Sequence, residues 1–138
     1  MPNVLNKMNL TKYSRNQILR TFQTWGVPKD FADPMYNYLV YGYKPGSCFT
    51  SVLANDFYGA IRRSHPSNTI EAFKALAGWI DDCVPSMARG SYEVVEAWTN
   101  LSDNQRRAVL EAKGLIFTLE EESWMILKDG PVEEVHLY

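Results

Sequence analysis

Histidine and cysteine, which most readily transfer protons or act as nucleophiles near neutral pH, are few and widely separated in this sequence. His65 and His136 are its only histidines, and neither stands at a spacing typical of a metal-binding pair. Cys48 stands at a predicted helix N-terminus, where a thiolate paired with His65 as base is conceivable, but a buried, inert cysteine is the favoured interpretation. We therefore expect no catalytic residues, no metal and no cofactor, and interpret the chain as a binding protein.

Asp56 is the most unusual polar residue because apolar side chains recur at helical spacing on both sides of it. This periodicity predicts one amphipathic helix over residues 48–63, with Asp56 in the middle of its buried face. A carboxylate there needs partners, so the favoured interpretation is that Asp56 caps another helix or accepts hydrogen bonds from the turn at 43–47. The alternative is a ligand pocket with further polar side chains. These are Asn55, Lys44, Arg62 and Arg63.

Tyrosines are concentrated just before a Lys-Pro-Gly-Ser turn, at positions Tyr36, Tyr38, Tyr41 and Tyr43. Tyrosine combines a large apolar area with a polar group, so such clusters are frequent at binding surfaces, although helical spacing assigns some of them to the core. The turn offers free backbone N–H groups to a phosphate beside Ser47, but ordinary capping is favoured. The candidate binding residues are Tyr36, Tyr41, Tyr43, Lys44, Ser47, Asn55, Asp56, Arg62 and Arg63.

Capping and terminating residues divide the chain into short helices. Predicted starts are Ser14, Asp33-Pro34, Cys48 after Ser47, Asn68 with Glu71, Ser91, Ser102 with Gln105, and Thr118 with Glu121. Predicted ends include Gly26, Gly42 and Gly114. Residues 115–119 are the only β-prone run, and 129–138 could add an extended tail. The sequence predicts a mostly α-helical single domain over 1–138, a compact bundle of six or seven short helices with a possible short β element near the C-terminus.

Composition and charge exclude several classes of protein. A hydrophobic share of 46% over 138 residues excludes a disordered chain, and no apolar stretch is long enough for a membrane span. Residues 1–63 carry eight basic and three acidic groups, a net of +5, whereas residues 64–138 carry six and thirteen, a net of −7. We expect the basic N-terminal segment to pack against the acidic half. The net charge of −2 argues against nucleic-acid binding. So do the three glutamates at the start of the helix that follows Gly114, because they would repel DNA phosphates.

The stretch at 38–57, YLVYGYKPGSCFTSVLANDF, resembles a pattern of small uncharacterised proteins of tailed bacteriophages. The shared features are a glycine turn, Pro-Gly-Ser, and then Val-Leu-x-Asn-Asp; residues 90–98 extend the resemblance, which covers about a third of the chain. Lys44 and Cys48 depart from the pattern, which has an apolar residue and Phe there. The resemblance implies an accessory protein made in the cytoplasm of the infected host.

Two binding functions follow from the resemblance. The first is a non-enzymatic protein that binds and inhibits a host factor, such as an anti-phage defence protein, through the aromatic surface at 36–43. The second is an oligomeric sponge that sequesters a nucleotide-derived immune signal. Its phosphate ligands would be Lys44, Ser47, Arg62 and Arg63, with an aromatic ring stacked on the base. An enzyme that destroys such a signal with Asp56 or His65 ranks last.

Overall fold

The computed structural model describes residues 10–129, which form eight α-helices, one short 3-10 turn and no strand. The α-helices are α1 (Lys12–Trp25), α2 (Lys29–Tyr41), α3 (Ser47–Leu53), α4 (Phe57–Arg63), α5 (Ile70–Cys83), α6 (Tyr92–Asn100), α7 (Asp103–Lys113) and α8 (Leu119–Asp129). The prediction of a mostly helical bundle is confirmed. The β-prone run leads into α8, while the possible tail beyond 129, with His136, lies outside the described residues.

Several helix boundaries follow the predicted capping residues. The hydroxyl of Ser91 accepts a hydrogen bond from the Val94 amide and starts α6. Both predicted capping boxes after it are present, Ser102 with Gln105 at α7 and Thr118 with Glu121 at α8. Glycines in the left-handed conformation end three helices as predicted. They are Gly26, Gly42 and Gly114.

Four predicted helix caps are wrong, one of them Ser47, whose place before α3 is taken by Gly46. Thr11, not Ser14, caps α1, because Ser14 is buried and its hydroxyl accepts the N–H of Phe117 at 3.0 Å. Thr69, not Asn68, caps α5 by accepting from Ala72 at 3.1 Å. Helix α2 begins at Lys29, before the predicted Asp33-Pro34, since the carbonyl of Pro28 accepts from the amides at 31 and 32 and closes an earlier turn.

The single helix predicted over 48–63 is also wrong, because the chain breaks between α3 and α4. Asn55 adopts a φ of 63°, a left-handed conformation that Asn tolerates better than most residues, and Asp56 then caps α4. The N–H of Asp56 donates to Ser51 O at 2.9 Å and closes the turn. Asp56 therefore lies at a helix start, and its side chain is about a third exposed rather than in the middle of a buried face.

Buried aromatic side chains join the helices in the core. The rings of Phe22 in α1 and Trp79 in α5 stack with centroids 4.4 Å apart, and the indole N–H of Trp79 donates to the Thr21 hydroxyl at 2.8 Å. Tyr38 in α2 and Trp98 in α6 are fully buried, and the Trp98 N–H donates to Tyr38 O at 3.0 Å. Each buried polar tip thus has a partner, as burial requires.

Helix α8 is attached to α1 and α7 by polar contacts. Glu122 is buried and accepts hydrogen bonds from Arg107 Nη2 at 2.6 Å and from the Thr11 hydroxyl. The Tyr13 hydroxyl donates to Met125 O at 3.2 Å. Thr11 and Tyr13, which join the N-terminal segment to α8, are uncharged, so the predicted attraction between the basic segment and the acidic half stays a prediction. Over the part of the chain that the structure describes, every helix is too short or too polar to cross a bilayer.

The guanidinium of Arg106 in α7 is buried and holds the ends of two other helices. Its Nε donates to Val40 O near the end of α2 at 3.2 Å, and its Nη1 donates to Leu101 O just after α6. Asp103 supplies the negative charge. A Cβ at Gly42, whose φ is 72°, would lie 2.7 Å from Arg106 Nη1, so α2 ends in glycine partly because the guanidinium occupies that space.

We expect Arg106→Met to lower the free energy of unfolding by about 3 kcal/mol, because it leaves the two carbonyls and Asp103 without their buried donor. Urea denaturation followed by circular dichroism measures this loss. The control is Arg62→Met, which removes an exposed arginine and should change stability by no more than about 0.5 kcal/mol. An equal effect of the two substitutions would contradict the role given to Arg106.

Candidate functional site

Three of the four clustered tyrosines form one continuous row at the end of α2. The ring centroids of Tyr36 and Tyr41 are 6.2 Å apart in an edge-to-face arrangement, and those of Tyr41 and Tyr43 are 5.5 Å apart. Tyr38 is instead fully buried, and its hydroxyl donates to Ala88 O at 2.8 Å. The helical spacing predicts only that some of the four enter the core; the structure buries Tyr38 fully and leaves Tyr36, Tyr41 and Tyr43 in what we call the tyrosine row.

The tyrosine row depends on how α2 ends. The N–H of Gly42 donates to Tyr38 O at 3.0 Å, and the N–H of Tyr43 donates to Asn37 O at 3.3 Å. The Gly42 bond, to the carbonyl four residues earlier, is that of an αL motif, in which a left-handed glycine ends the helix and reverses the chain. The reversal brings Tyr43 beside Tyr41, so a side chain from outside the helix extends the row. Arg106, bound to Val40 O, fixes the same helix end.

Exposure is greatest at the Tyr43 end of the row. Tyr36 and Tyr41 are partly buried, whereas Tyr43 is 53% exposed. Burial raises the pKa of Tyr36 to about 12, and the neighbouring Tyr41 contributes to the rise. The Tyr36 hydroxyl therefore keeps its proton at neutral pH.

The Lys44 to Ser47 turn follows the row, and Ser47 does not cap the helix after it. Lys44 Nζ is 3.4 Å from Glu96 Oε2 of α6, and both side chains are exposed. Gly46, not Ser47, occupies the N-cap position of α3, and Ser47 is the first helical residue. The turn is held from inside by the Thr50 hydroxyl, which donates to Pro45 O at 3.0 Å.

Asp56 belongs to a second group of contacts, the Asp56 cluster, formed with Ser51, Arg63 and Tyr92. Its Oδ1 accepts the N–H of Gly59 at 2.9 Å, and its Oδ2 accepts the Tyr92 hydroxyl at 2.5 Å. The hydrogen bond from Tyr92 is the largest cause that lowers the pKa of Asp56; the Gly59 amide and the Arg63 charge act in the same direction. The carboxylate is therefore ionised at neutral pH and links α4 to α6.

Ser51 and Arg63 complete this cluster. Arg63 Nη1 donates to the Ser51 hydroxyl at 2.8 Å and to the Tyr92 hydroxyl at 3.2 Å, and lies 3.6 Å from Asp56 Oδ2. Sequence reasoning missed Ser51 and Tyr92 as members. No local pattern marks Tyr92, since its partners stand between 29 and 41 residues away along the chain. Asp56 thus acts as a helix cap, as the favoured interpretation predicts. The helix that it caps is α4, which the sequence pattern did not distinguish from α3.

The remaining candidates lie apart from both groups. Asn55 lines a cleft of about 270 Å³ between the α3–α4 turn and α5. Its lining is Val52, Leu53, Asn55, Phe57, Ala77, Ile80, Asp81, Arg89 and Gly90. The Arg62 guanidinium lies 6.0 Å from the ring centroid of Tyr58, which is 79% exposed. The nine candidates therefore do not surround one pocket.

The predicted nucleophile and base do not contact each other. The Cys48 thiol lies 3.3 Å from Ala60 O, and burial raises its pKa, which keeps it protonated. His65 Nδ1 is engaged by Ser67 in an exposed turn, at 2.7 Å from the hydroxyl. Among residues 10–129, no three His, Cys, Asp or Glu side chains converge as metal ligands would.

Comparisons of the chain with protein families, with curated proteins and with solved structures find no match.

We expect Gly59→Ala to destabilise the protein by about 2 kcal/mol, although alanine usually favours a helix. A Cβ at position 59 would lie 2.2 Å from Asp56 Oδ2 and 2.5 Å from Arg63 Nη1, so it would force the Asp56 cluster apart. Thermal and urea denaturation measure the effect. Gly46→Ala is the control, because a Cβ there meets nothing within 4 Å, so its loss should be limited to the weaker N-cap preference of alanine, about 1 kcal/mol or less. A stabilised Gly59→Ala protein would show that the cluster adapts without cost.

We expect Tyr92→Phe to raise the pKa of Asp56, because it removes the largest cause that lowers it. Since the lowered pKa favours the folded state above the unfolded pKa, the stability lost in Tyr92→Phe should be greatest at neutral pH. The difference should shrink as the pH falls through the folded pKa of Asp56. NMR titration of the carboxyl carbon and denaturation at several pH values test both points. Tyr58→Phe, in an exposed tyrosine outside the cluster, should change neither.

Proposed function

We propose that this protein binds and inhibits a protein of a bacterial host, and that the tyrosine row is its recognition surface. Residues 38–57 resemble small tailed-phage proteins, and this resemblance implies an accessory protein that acts in the cytoplasm of the infected cell. An anti-phage defence protein is the class of target that we propose. The function is binding, with no chemical step.

The single observation that carries the proposal is the contact of the three rings in the tyrosine row, with exposure greatest at Tyr43. Tyrosine has few rotatable bonds, so an ordered row loses little conformational entropy when a partner covers it. The inner rings support Tyr43, which projects from a helix end fixed by the Gly42 reversal and by Arg106. Such supported aromatic side chains are typical binding hot spots.

The charges beside the row favour a protein as partner. Lys44 and Glu96 place one positive and one negative group next to each other at its edge, both exposed. A rim of both signs around an aromatic centre is the usual composition of a protein interface. A nucleic-acid surface would instead need an excess of positive charge.

The alternative function, an oligomeric sponge for a nucleotide-derived signal, has weaker support. Two of its four phosphate ligands already contact carboxylates, Lys44 with Glu96 and Arg63 with Asp56. Using them for phosphate would require breaking these contacts. We therefore favour a protein partner.

We expect Tyr43→Ala to abolish co-purification of a specific host protein without affecting the fold, since Tyr43 is more than half exposed. A truncated hot-spot tyrosine costs about 2 kcal/mol or more of binding free energy, roughly a thirtyfold loss of affinity. The experiment is affinity purification from host lysate with mass spectrometry, then titration of the purified target by calorimetry. Tyr43→Phe, which keeps the ring, should retain most of the affinity.

Tyr58→Ala is the matched control, because it removes an exposed tyrosine outside the row. It should bind the target as the natural sequence does. In cells that carry the target defence system, the natural protein and Tyr58→Ala should restore phage plating, and Tyr43→Ala should not. Equal binding by Tyr43→Ala and the natural protein would refute the tyrosine row as the recognition surface.

A further inference from the structure

The cleft beside the α3–α4 turn has two walls and a mostly apolar lining. One wall is a side of α5, where Ile80 and Asp81 stand three and four residues after Ala77 and so share its face. The other wall contains Leu53 and Gly90, which are joined by a hydrogen bond from the Gly90 N–H to Leu53 O at 2.8 Å. Small-molecule sites are usually apolar clefts of roughly 300–1,000 Å³ with a few polar groups. At about 270 Å³, this cleft is suited to a small ligand.

Three polar side chains line the cleft and retain binding capacity. The Nε of Arg89 donates to Val84 O at 3.0 Å, but no carboxylate within residues 10–129 lies within 4.0 Å of its guanidinium. The carboxylate of Asp81 and the side-chain amide of Asn55 have no hydrogen-bond or ion-pair partner in the same part of the chain. Asp81 and Asn55 are exposed and Arg89 is partly buried, so a ligand from solvent can reach all three.

The two charged side chains belong to the same end of the cleft. Asp81 lies near the end of α5, and Val84, which accepts from Arg89, follows it by three residues, roughly 5 Å along the helix. The guanidinium and the carboxylate therefore lie near each other without forming an ion pair. A simple anion in the cleft would be repelled by Asp81, and a simple cation by Arg89. A ligand with both charges close together would be attracted by both.

We infer that this cleft binds a free α-amino acid with a large apolar side chain, such as leucine or phenylalanine. Its α-carboxylate accepts hydrogen bonds from the Arg89 guanidinium, and its α-ammonium group donates to Asp81. Because both groups are attached to one carbon atom, a single molecule meets both side chains. The apolar part of the ligand packs against Val52, Ile80 and the ring of Phe57, which lines the cleft and is 47% exposed.

Other ligand classes match the lining less well. A terminal residue of a peptide carries only one of the two charges at its α-carbon. A phosphate group carries about two negative charges at neutral pH, which a single arginine next to an aspartate balances poorly. The cleft shares no residue with the tyrosine row, so this inference and the proposed function stand or fall separately.

NMR titration of the full chain with leucine and phenylalanine, up to about 20 mM, measures the binding. The amide signals of Asn55, Ile80 and Gly90 should shift with a Kd between roughly 10 µM and 1 mM, as expected for a ligand of so few atoms. Three related compounds should bind about tenfold or more weakly. They are glycine, which lacks the side chain, N-acetyl-leucine, which lacks the ammonium charge, and leucinamide, which lacks the carboxylate.

Several results of this titration would overturn the proposal. They are no shift with either amino acid, shifts confined to residues outside the cleft, and equal binding of leucine and its two derivatives. A nucleoside monophosphate that shifts the cleft signals when the amino acids do not would also overturn it.

Two substitutions test which side chain binds which charge. Arg89→Gln should weaken leucine about tenfold and leave leucinamide unchanged, because leucinamide has no carboxylate for Arg89 to bind. Asp81→Asn should weaken leucine about tenfold and leave N-acetyl-leucine unchanged. The controls Arg62→Gln and Glu93→Gln each remove an exposed charge outside the cleft lining and should bind leucine as the natural sequence does. Equal weakening of every ligand by both cleft variants, or the same effect in the controls, overturns the proposal.

Circular dichroism checks the fold of each variant. Arg89→Gln also removes the hydrogen bond to Val84 O, so it could lower stability. Asp81→Asn breaks no hydrogen bond or ion pair within residues 10–129 and is the same size, so it decides the matter if Arg89→Gln does not fold.

Discussion

The buried guanidinium of Arg106 is the contact on which the arrangement of α2, α6 and α7 depends. The Arg106 side chain is only 4% exposed, so its positive charge needs hydrogen-bond acceptors inside the protein. These acceptors are Val40 O, Leu101 O and Asp103. Burial lowers the pKa of the guanidinium while Asp103 raises it. Because the Arg106 guanidinium binds carbonyls from two helix ends at once, it helps to set where α2 ends. The tyrosine row spans that helix end, from Tyr36 within α2 to Tyr43 just after it.

Polar contacts also determine which surfaces this protein exposes. The ion pair of Arg107 with buried Glu122 orients α8 so that its apolar residues face outward. The Asp56 cluster likewise fixes α4 against α6. This also fixes the position of the exposed side chains of Tyr58 and Arg62, which lie on α4. In both places a carboxylate forms the inner contact and aromatic or aliphatic side chains form the outer surface. Side chains on these attached helices are held in place before any partner meets them, which lowers the entropy lost on binding.

The agreement between sequence and structure is best where the physical cause is local. Ser91, Ser102 and Thr118 start helices because each hydroxyl reaches an amide three residues away, and a pattern of four residues contains that information. The sequence pattern missed the break at Asn55 because the apolar residues keep the same helical spacing on both sides of it. Asp56 was correctly singled out as needing a partner, yet the partner from α6, Tyr92, is 36 residues away. Ser14 failed as a cap because a distant amide, that of Phe117, takes its hydroxyl.

The sequence by itself determined the helical class of this protein, most of the turns that end its helices, and the concentration of tyrosines beside the Lys44 turn. These follow from backbone conformation and from contacts within a few residues. Only the tertiary structure decided which tyrosine enters the core, which cations already have acidic partners, and which face of α8 remains uncovered. The physical reason is that burial and ion pairing are properties of surfaces brought together from distant parts of the chain. Glu122 is an example, because its neighbours along the sequence predict an exposed acid and Arg107 and Thr11 bury it.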